Sequence, residues 1–349
     1  MKAADTIDHE GDEDDEIVIL KIGGSSITHK AKEETLNDVA LEWFAKLISS
    51  SVDPTFLSSS LDDGCCSRNS RNTSNGSRST TKKKKKKQFI VVHGAGSFGH
   101  HSAKRFGLRC GKAVFLKEII DHPSSCPPSR EEALMKQRYQ MEGLSKTRQS
   151  VQKLNAATVN YLIQHGVNAV GISPGITIHG LRAHGATAAP TGVCASNASS
   201  QDESYRGMQQ LCDIIQQCLQ TGLVPVIHGD ACLLYDGERA GILGGDTIAE
   251  GLAKLWNCRH VTSKISQVIF ITDVAGVFTS DPKSDPNAEL IRSLTIHKDT
   301  GKVVIENKDS DDSQILNVSG SSHEHEVTGG LKVMFIALCE FNFPHDYFH

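Results

Sequence analysis

The stretch Phe89-Ile90-Val91-Val92-His93-Gly94-Ala95-Gly96-Ser97-Phe98-Gly99-His100 sets the reading of the whole chain. Four consecutive apolar residues without polar alternation form a strand buried on both faces. The glycines that follow turn the chain and let its backbone come close to a phosphate. Gly94, Gly96 and Gly99 fit G-x-G-x-x-G, which is also the fingerprint of a nicotinamide dinucleotide site, and Glu118 lies about where its acidic residue would fall. Two features weigh against that oxidoreductase reading: His93 and His100 flank the glycines, and an earlier strand already ends in Lys21-Ile22-Gly23-Gly24-Ser25. Gly94 and Gly99 have Walker-A spacing too, but His100 and His101 replace the required Lys-Ser/Thr, which excludes a P-loop ATPase.

The same strand-then-turn pattern recurs on either side. Ile17 to Leu20 leads into Lys21-Ile22-Gly23-Gly24-Ser25-Ser26. Val167 to Ile172 is a strand broken by Ser173-Pro174-Gly175, and Val224 to Ile227 ends in His228-Gly229-Asp230. Val268 to Thr272 ends in Asp273-Val274-Ala275-Gly276. Between these strands lie helical segments. Leu36 to Ile48 has Leu36, Val39, Ala40, Phe44 and Leu47 on one face. Residues 131 to 165 read as helix, as does Met208 to Gln220, which Gly222 stops; Ile242 to Trp256 opens on a glycine turn and continues as helix. Residues 121 to 130 read as a Pro/Ser loop and residues 183 to 204 as a loop of small residues. Strands alternating with helices predict an α/β fold: a mostly parallel central sheet sandwiched by helices, with ligands at the carboxyl ends of the strands. Several glycine turns on that one edge point to a polyphosphate site.

Composition bounds the rest. The 349 residues are 38% hydrophobic, enough for a substantial core, and the net charge of −4 argues against nucleic acid as a partner. The ten cysteines form no C-x-x-C pair, so they read as free thiols in a reducing compartment. Residues 1 to 15 read as a disordered acidic tail, unlike a signal or transit peptide, and no apolar run suggests a membrane span. The expectation is a cytoplasmic protein. Residues 49 to 87, rich in Ser, Asn, Asp and Arg and ending in six lysines from Lys82 to Lys87, read as a disordered insertion in a domain spanning 16 to 332.

On these residues the chain resembles the amino-acid kinase superfamily. The carriers are Lys21-Ile22-Gly23-Gly24-Ser25 with Lys30, Gly244-Gly245-Asp246, Thr272-Asp273-Val274-Ala275-Gly276-Val277 and Val327-Thr328-Gly329-Gly330. Within it, His93 to His100, together with Val226 to Asp230, is similar to the isopentenyl phosphate kinases. The resemblance implies transfer of the ATP γ-phosphoryl group to isopentenyl phosphate, with Mg²⁺, in a homodimer. It implies that Lys21 and Lys30 contact the transferring phosphoryl group and that Ala95, His100 and Gly229 face the acceptor phosphate. It assigns Lys21, Gly23, Gly24, Ser25, Gly96, Asp246, Asp273, Gly276, Gly329 and Gly330 to the nucleotide.

These residue types suit the chemistry. Phosphoryl transfer needs alignment and charge neutralisation rather than covalent work by the protein. An acceptor that is already a phosphate monoester needs no general base, so His100 is expected to orient it. Asp246 is suited to hold a lysine ammonium group. Phe98, Phe106 and the stretch from Ile172 to Ile178 are candidate walls for an isoprenoid tail. His93 and His228 read as structural, and His323 and His325 lack a metal-ligand pattern.

The resemblance breaks near the end. Family members continue from Thr-Gly-Gly into Met-x-x-Lys and a further strand and helix. Here Met334 occupies the lysine position, with Lys332 two residues earlier, and residues 333 to 349 form an aromatic-rich tail unlike the family. The tail reads as a truncated family domain, which raises a catalytically impaired kinase fold as an alternative. A kinase of the same superfamily with a different small-molecule acceptor is another.

Overall fold

The computed structural model describes residues 15–52, 87–108, 130–175, 198–233, 240–259, 263–272, 276–280, 285–291, 294–296 and 303–305. Its frame is a five-stranded sheet built from β1 (Asp15–Ile22), β2 (Lys87–His93), β3 (Ala169–Ile172), β4 (Val224–His228) and, after the antiparallel hairpin β5 (Asp230–Leu233) and β6 (Ala240–Leu243), β7 (Ser263–Ile271). The order is β3-β4-β2-β1-β7, and every neighbouring pair is parallel. Short pairs β8 (Val277–Phe278) with β9 (Leu290–Ile291) and β10 (Leu294–Ile296) with β11 (Val303–Ile305) follow it in the chain.

Alternation along each buried strand divides the core into two layers. Ile17, Ile19, Ile90, Val92 and Ile227 face α5 (Ala198–Gln220) and α6 (Gly245–Arg259), packing with Leu211, Ile215, Leu252 and Trp256. Val18, Leu20, Phe89, Val91 and Val226 take the other side, with Leu41, Phe44 and Ile48 of α2 (Asp38–Ser51) and Leu154 and Leu162 of α4 (Arg130–Gln164). Each such side chain contributes about 1.5–3 kcal/mol by leaving water. Two helices, α1 (Gly24–Ile27) and α3 (Gly96–Arg105), spring directly from the glycine turns after β1 and β2.

The parallel sheet between helical layers is the architecture that the apolar runs predict, and four details differ. The buried face of α2 is Leu41, Phe44, Ala45 and Ile48, whereas Val39 is 82% exposed and Leu47 38%. Helix α5 begins at Ala198, inside the segment read as a loop of small residues, and Ile242 lies in β6 rather than in a helix. Helix α2 runs to Ser51 and β2 starts at Lys87, so both ends of the interval read as an insertion lie in regular structure. Phe98 and Phe106, the candidate tail-pocket walls, pack within hydrophobic clusters, Phe106 against Tyr139 with ring centroids 4.7 Å apart, and residues 176–178 of the third candidate stretch lie outside the described residues. Among the described residues, no helix is long and apolar enough to cross a membrane. The tail at 333 to 349 lies outside them.

Candidate functional site

Strand register brings the chemistry together. Ile22 lies opposite both His93 and Ile271, and His93 lies opposite His228, so four strands end level with one another. The ladder carries on into the turns: Gly94 N–H donates to Ile22 O (2.9 Å), Gly229 N–H to His93 O (2.8 Å) and Gly23 N–H to Ile271 O (2.8 Å).

Beyond that level the turns press against each other. A methyl group added to Gly24 would overlap the Gly96 amide nitrogen, and one on Gly96 would strike Thr28 Oγ1 and stand 2.5 Å from Gly24 O. Gly96 also adopts φ +52°, a conformation that favours glycine. The buried Thr28 hydroxyl bolts the two turns together, donating to Gly24 O (2.7 Å) and accepting from Ser97 N–H (3.0 Å). On the other side, the space a Gly229 side chain would fill is bounded by Gly245 N at 3.2 Å, Leu243 O at 3.4 Å and Ala95 N at 3.8 Å. These amides open α6 and α3, where N–H groups lack intrahelical partners and the helix dipole favours an anion.

Lys21 supplies the cation. It falls on the α6 side of β1, and its Nζ meets Asp246 Oδ1, in the first turn of α6, at 2.6 Å. Both side chains are only about a tenth exposed (11% and 10%), and the ammonium also lies 5.9 Å from the Phe270 ring centroid. The ion pair fixes the direction of a side chain that otherwise has four free torsions.

Lys30 is exposed on the segment after α1. That segment is strapped down over α3 and α4. Its Lys30 carbonyl lies 3.0 Å from His101 Nε2, Ser97 Oγ binds the Thr35 carbonyl at 3.3 Å, and Lys153 Nζ pairs with Glu34 at 2.9 Å. Arg105 adds a pair with Glu33 at 3.2 Å. His100 sits partly exposed in the second turn of α3, and Ser25 partly exposed in α1. Gly276 precedes β8, while Asp273, Gly329 and Gly330 lie outside the described residues.

Two buried histidines close β2 and β4. His93 Nδ1 lies 3.0 Å from Gly94 O, and His228 Nδ1 lies 2.9 Å from Gly229 O. Burial holds both rings neutral, pushing His93 down to about 3 and His228 to about 4 from the usual 6.5. Next to His228, Asp230 is ion-paired with Arg148 of α4 and accepts N–H bonds from Gly175 (3.0 Å) and Ala231 (2.9 Å). Burial raises this carboxyl to about 6, against the pull of Arg148 and the two amides. Read from the sequence as the end of a turn, Asp230 in fact anchors α4 and the loop after β3 to the start of β5. Arg148 and Thr28 carried no local signal.

The structure therefore gathers Lys21, Gly24, Ala95, Gly96, Gly229 and Asp246 at one sheet edge, with Lys30 on a loop fastened to α3. Glycine turns, helix N-termini and an oriented ammonium give this edge the features that suit an anion. The protein class follows: the chain belongs to the amino acid kinase family, which it matches over residues 59–341. More particular likenesses lie within that class. The isopentenyl phosphate kinase of Arabidopsis thaliana is 28% identical over 320 residues, covering 90% of this chain and 80% of the relative. That of Methanothermobacter thermautotrophicus is 28% identical over 279 residues, 79% of this chain and 74% of the relative. A solved structure of isopentenyl phosphate kinase overlays with a TM-score of 0.50 at 25% identity, covering 79% of each chain.

Proposed function

We propose that this protein transfers the γ-phosphoryl group of ATP to isopentenyl phosphate, producing isopentenyl diphosphate and ADP. The observation that carries the proposal is the contact of the Gly24 and Gly96 turns, with Gly229 close to the start of α6, the helix whose Asp246 holds Lys21. Such an edge suits two phosphate-bearing molecules lying end to end, and relatives of this length and similarity bear the name isopentenyl phosphate kinase.

Lys21, with Lys30 reaching from its strapped loop, neutralises charge on the transferring group. Each preorganised donor in such a site contributes about 3 kcal/mol of transition-state stabilisation. The Ala95 amide, Gly229 and His100 hold the acceptor phosphate, whose oxygen attacks without a protein base. Gly23, Gly24, Ser25 and Gly96 line the nucleotide phosphates, Asp246 positions Lys21, and Asp273, Gly276, Gly329 and Gly330 belong to the nucleotide side. Among the described residues, no three His, Cys, Asp or Glu side chains group to hold a metal ion, and Asp246 is engaged by Lys21. Mg²⁺ would arrive on the ATP phosphates, as it commonly does in kinase sites. The working form is a cytoplasmic homodimer.

The test is purified protein with Mg-ATP and a panel of acceptors: isopentenyl phosphate, other short isoprenyl monophosphates, glutamate, aspartate and carbamate. Turnover confined to the isoprenyl monophosphates is expected. Turnover of a carboxylate or carbamate, with none of isopentenyl phosphate, would place the chain elsewhere in the family.

A further inference from the structure

The chain uses one device twice, on neighbouring strands. His93-Gly94 ends β2 and His228-Gly229 ends β4, the two histidines are opposite in register, and their ring centroids are 6.0 Å apart. Each ring bends forward to the carbonyl of the next glycine, at 3.0 Å and 2.9 Å. A carbonyl oxygen only accepts, so each Nδ1 carries the proton and donates. In a neutral imidazole Nε2 is then an acceptor. His228 Nε2 is served by the Ser173 hydroxyl at 2.7 Å, whereas His93 Nε2 is wholly buried and has no partner among the described residues. An unserved buried acceptor is a cost that an apolar residue of similar size would avoid. Packing alone therefore does not account for an imidazole at this position.

A trans peptide points its C=O and the following N–H in opposite directions, and the described chain has no cis peptide. Drawing Gly94 O back toward the core thus turns Ala95 N–H outward. Ala95 N is the amide that faces the space beside Gly229. Holding Gly229 O likewise fixes the peptide that starts β5, and with it the Gly229 turn.

We propose that His93 and His228 are positioning residues for the acceptor phosphate: each pins a glycine carbonyl through Nδ1–H, so that the Ala95 amide and the Gly229 turn are set for the anion before it arrives. Neither histidine touches the ligand. The inference rests on the acceptor-side reading of Ala95 and Gly229 given above.

The experiment is equilibrium titration of the full-length chain with inorganic phosphate, in the presence of a saturating non-hydrolysable ATP analogue, and separately with that analogue alone. His93→Leu keeps the bulk and removes the donor, and is expected to weaken phosphate by about tenfold, the worth of one ordinary hydrogen bond. His93→Asn places its amide nitrogen near the position of Nδ1 and is expected to rescue phosphate affinity to within about threefold. His228→Gln keeps a polar group for Ser173 but removes the Nδ1 donor, and is expected to weaken phosphate by about threefold or more. Nucleotide affinity should stay unchanged in all three. Wild-type phosphate affinity in His93→Leu, equal losses in the Leu and Asn variants, or parallel loss of nucleotide binding would each overturn the proposal, as would a wild-type chain that binds no phosphate. If His93→Leu does not fold, His228→Gln decides, and unchanged phosphate affinity there overturns it. A chain that shows this binding pattern yet never phosphorylates isopentenyl phosphate refutes the proposed function and leaves the role of the histidines standing.

Discussion

Substituting Gly96 by Ala isolates the contact between the two glycine turns. Gly96 has φ +52°, and an L-residue in that region costs about 1–2 kcal/mol. The new methyl would also stand 2.5 Å from Gly24 O and against Thr28 Oγ1. Carbon–oxygen contacts settle at about 3.3 Å or more, so the turns must part by nearly an ångström. The obstacle is backbone, which does not swing aside as a side chain would. A misplacement of that size costs about a hundredfold in catalysis. Gly166 is the matched control: it has φ +77°, but a methyl there meets nothing within 4 Å. Urea denaturation and steady-state kinetics should therefore separate the two variants. Gly166→Ala loses about 1–2 kcal/mol of stability with wild-type kinetics, whereas Gly96→Ala loses more than that, through the added overlap, and about a hundredfold in kcat/KM. Equal kinetics in the two variants would refute the idea that contact between the turns sets the site.

Other substitutions probe the remaining parts. Lys21→Ala should lower kcat by about two orders of magnitude or more, with ATP and acceptor binding less affected; an unchanged rate removes Lys21 from the transition state. Asp246→Asn strips the carboxylate from an ammonium that is 11% exposed, and removing one partner of a buried pair costs about 3–5 kcal/mol. A urea midpoint equal to wild type would show that this pair carries no structural weight. His93 and His228 give an acid signature. Their folded pKa values, about 3 and about 4, lie below the ordinary 6.5, so between these limits the unfolded chain binds more protons. Stability is then full above about pH 6.5 and falls as the pH drops, by about 2 kcal/mol per histidine between pH 7 and 5. The double variant with Asn at both positions should flatten that slope, and an equal slope in both proteins would contradict it.

The fold was legible where sequence separation did not matter. Apolar runs such as Ile17 to Leu20 and Phe89 to Val92 are buried on both faces, and such runs call for a parallel sheet under two helical layers. The glycine turns announced the functional edge for the same reason: each lies directly after its strand. Helix α2 was misread because it carries two apolar stripes. Val39, Trp43 and Leu47 repeat as well as Leu41, Phe44 and Ile48, and periodicity alone does not say which stripe the sheet will cover. The hairpin of β5 and β6 escaped because four-residue strands give too short a pattern to tell from the glycine turn beside them. Pairings across the chain were the least visible. Asp246 was a plausible partner for a lysine on chemical grounds, but nothing near Arg148 in the sequence points to Asp230, which it meets only because α4 crosses the end of β4.

A single-turnover experiment with ATP labelled in its γ-phosphate reaches furthest into the mechanism. With isopentenyl phosphate present and the reaction quenched at short times, label should pass straight into isopentenyl diphosphate, leave none on the protein, and stay on ATP in the Lys21→Ala variant. Label trapped on the protein, or released only as inorganic phosphate, would contradict two phosphates held together at the ends of these strands.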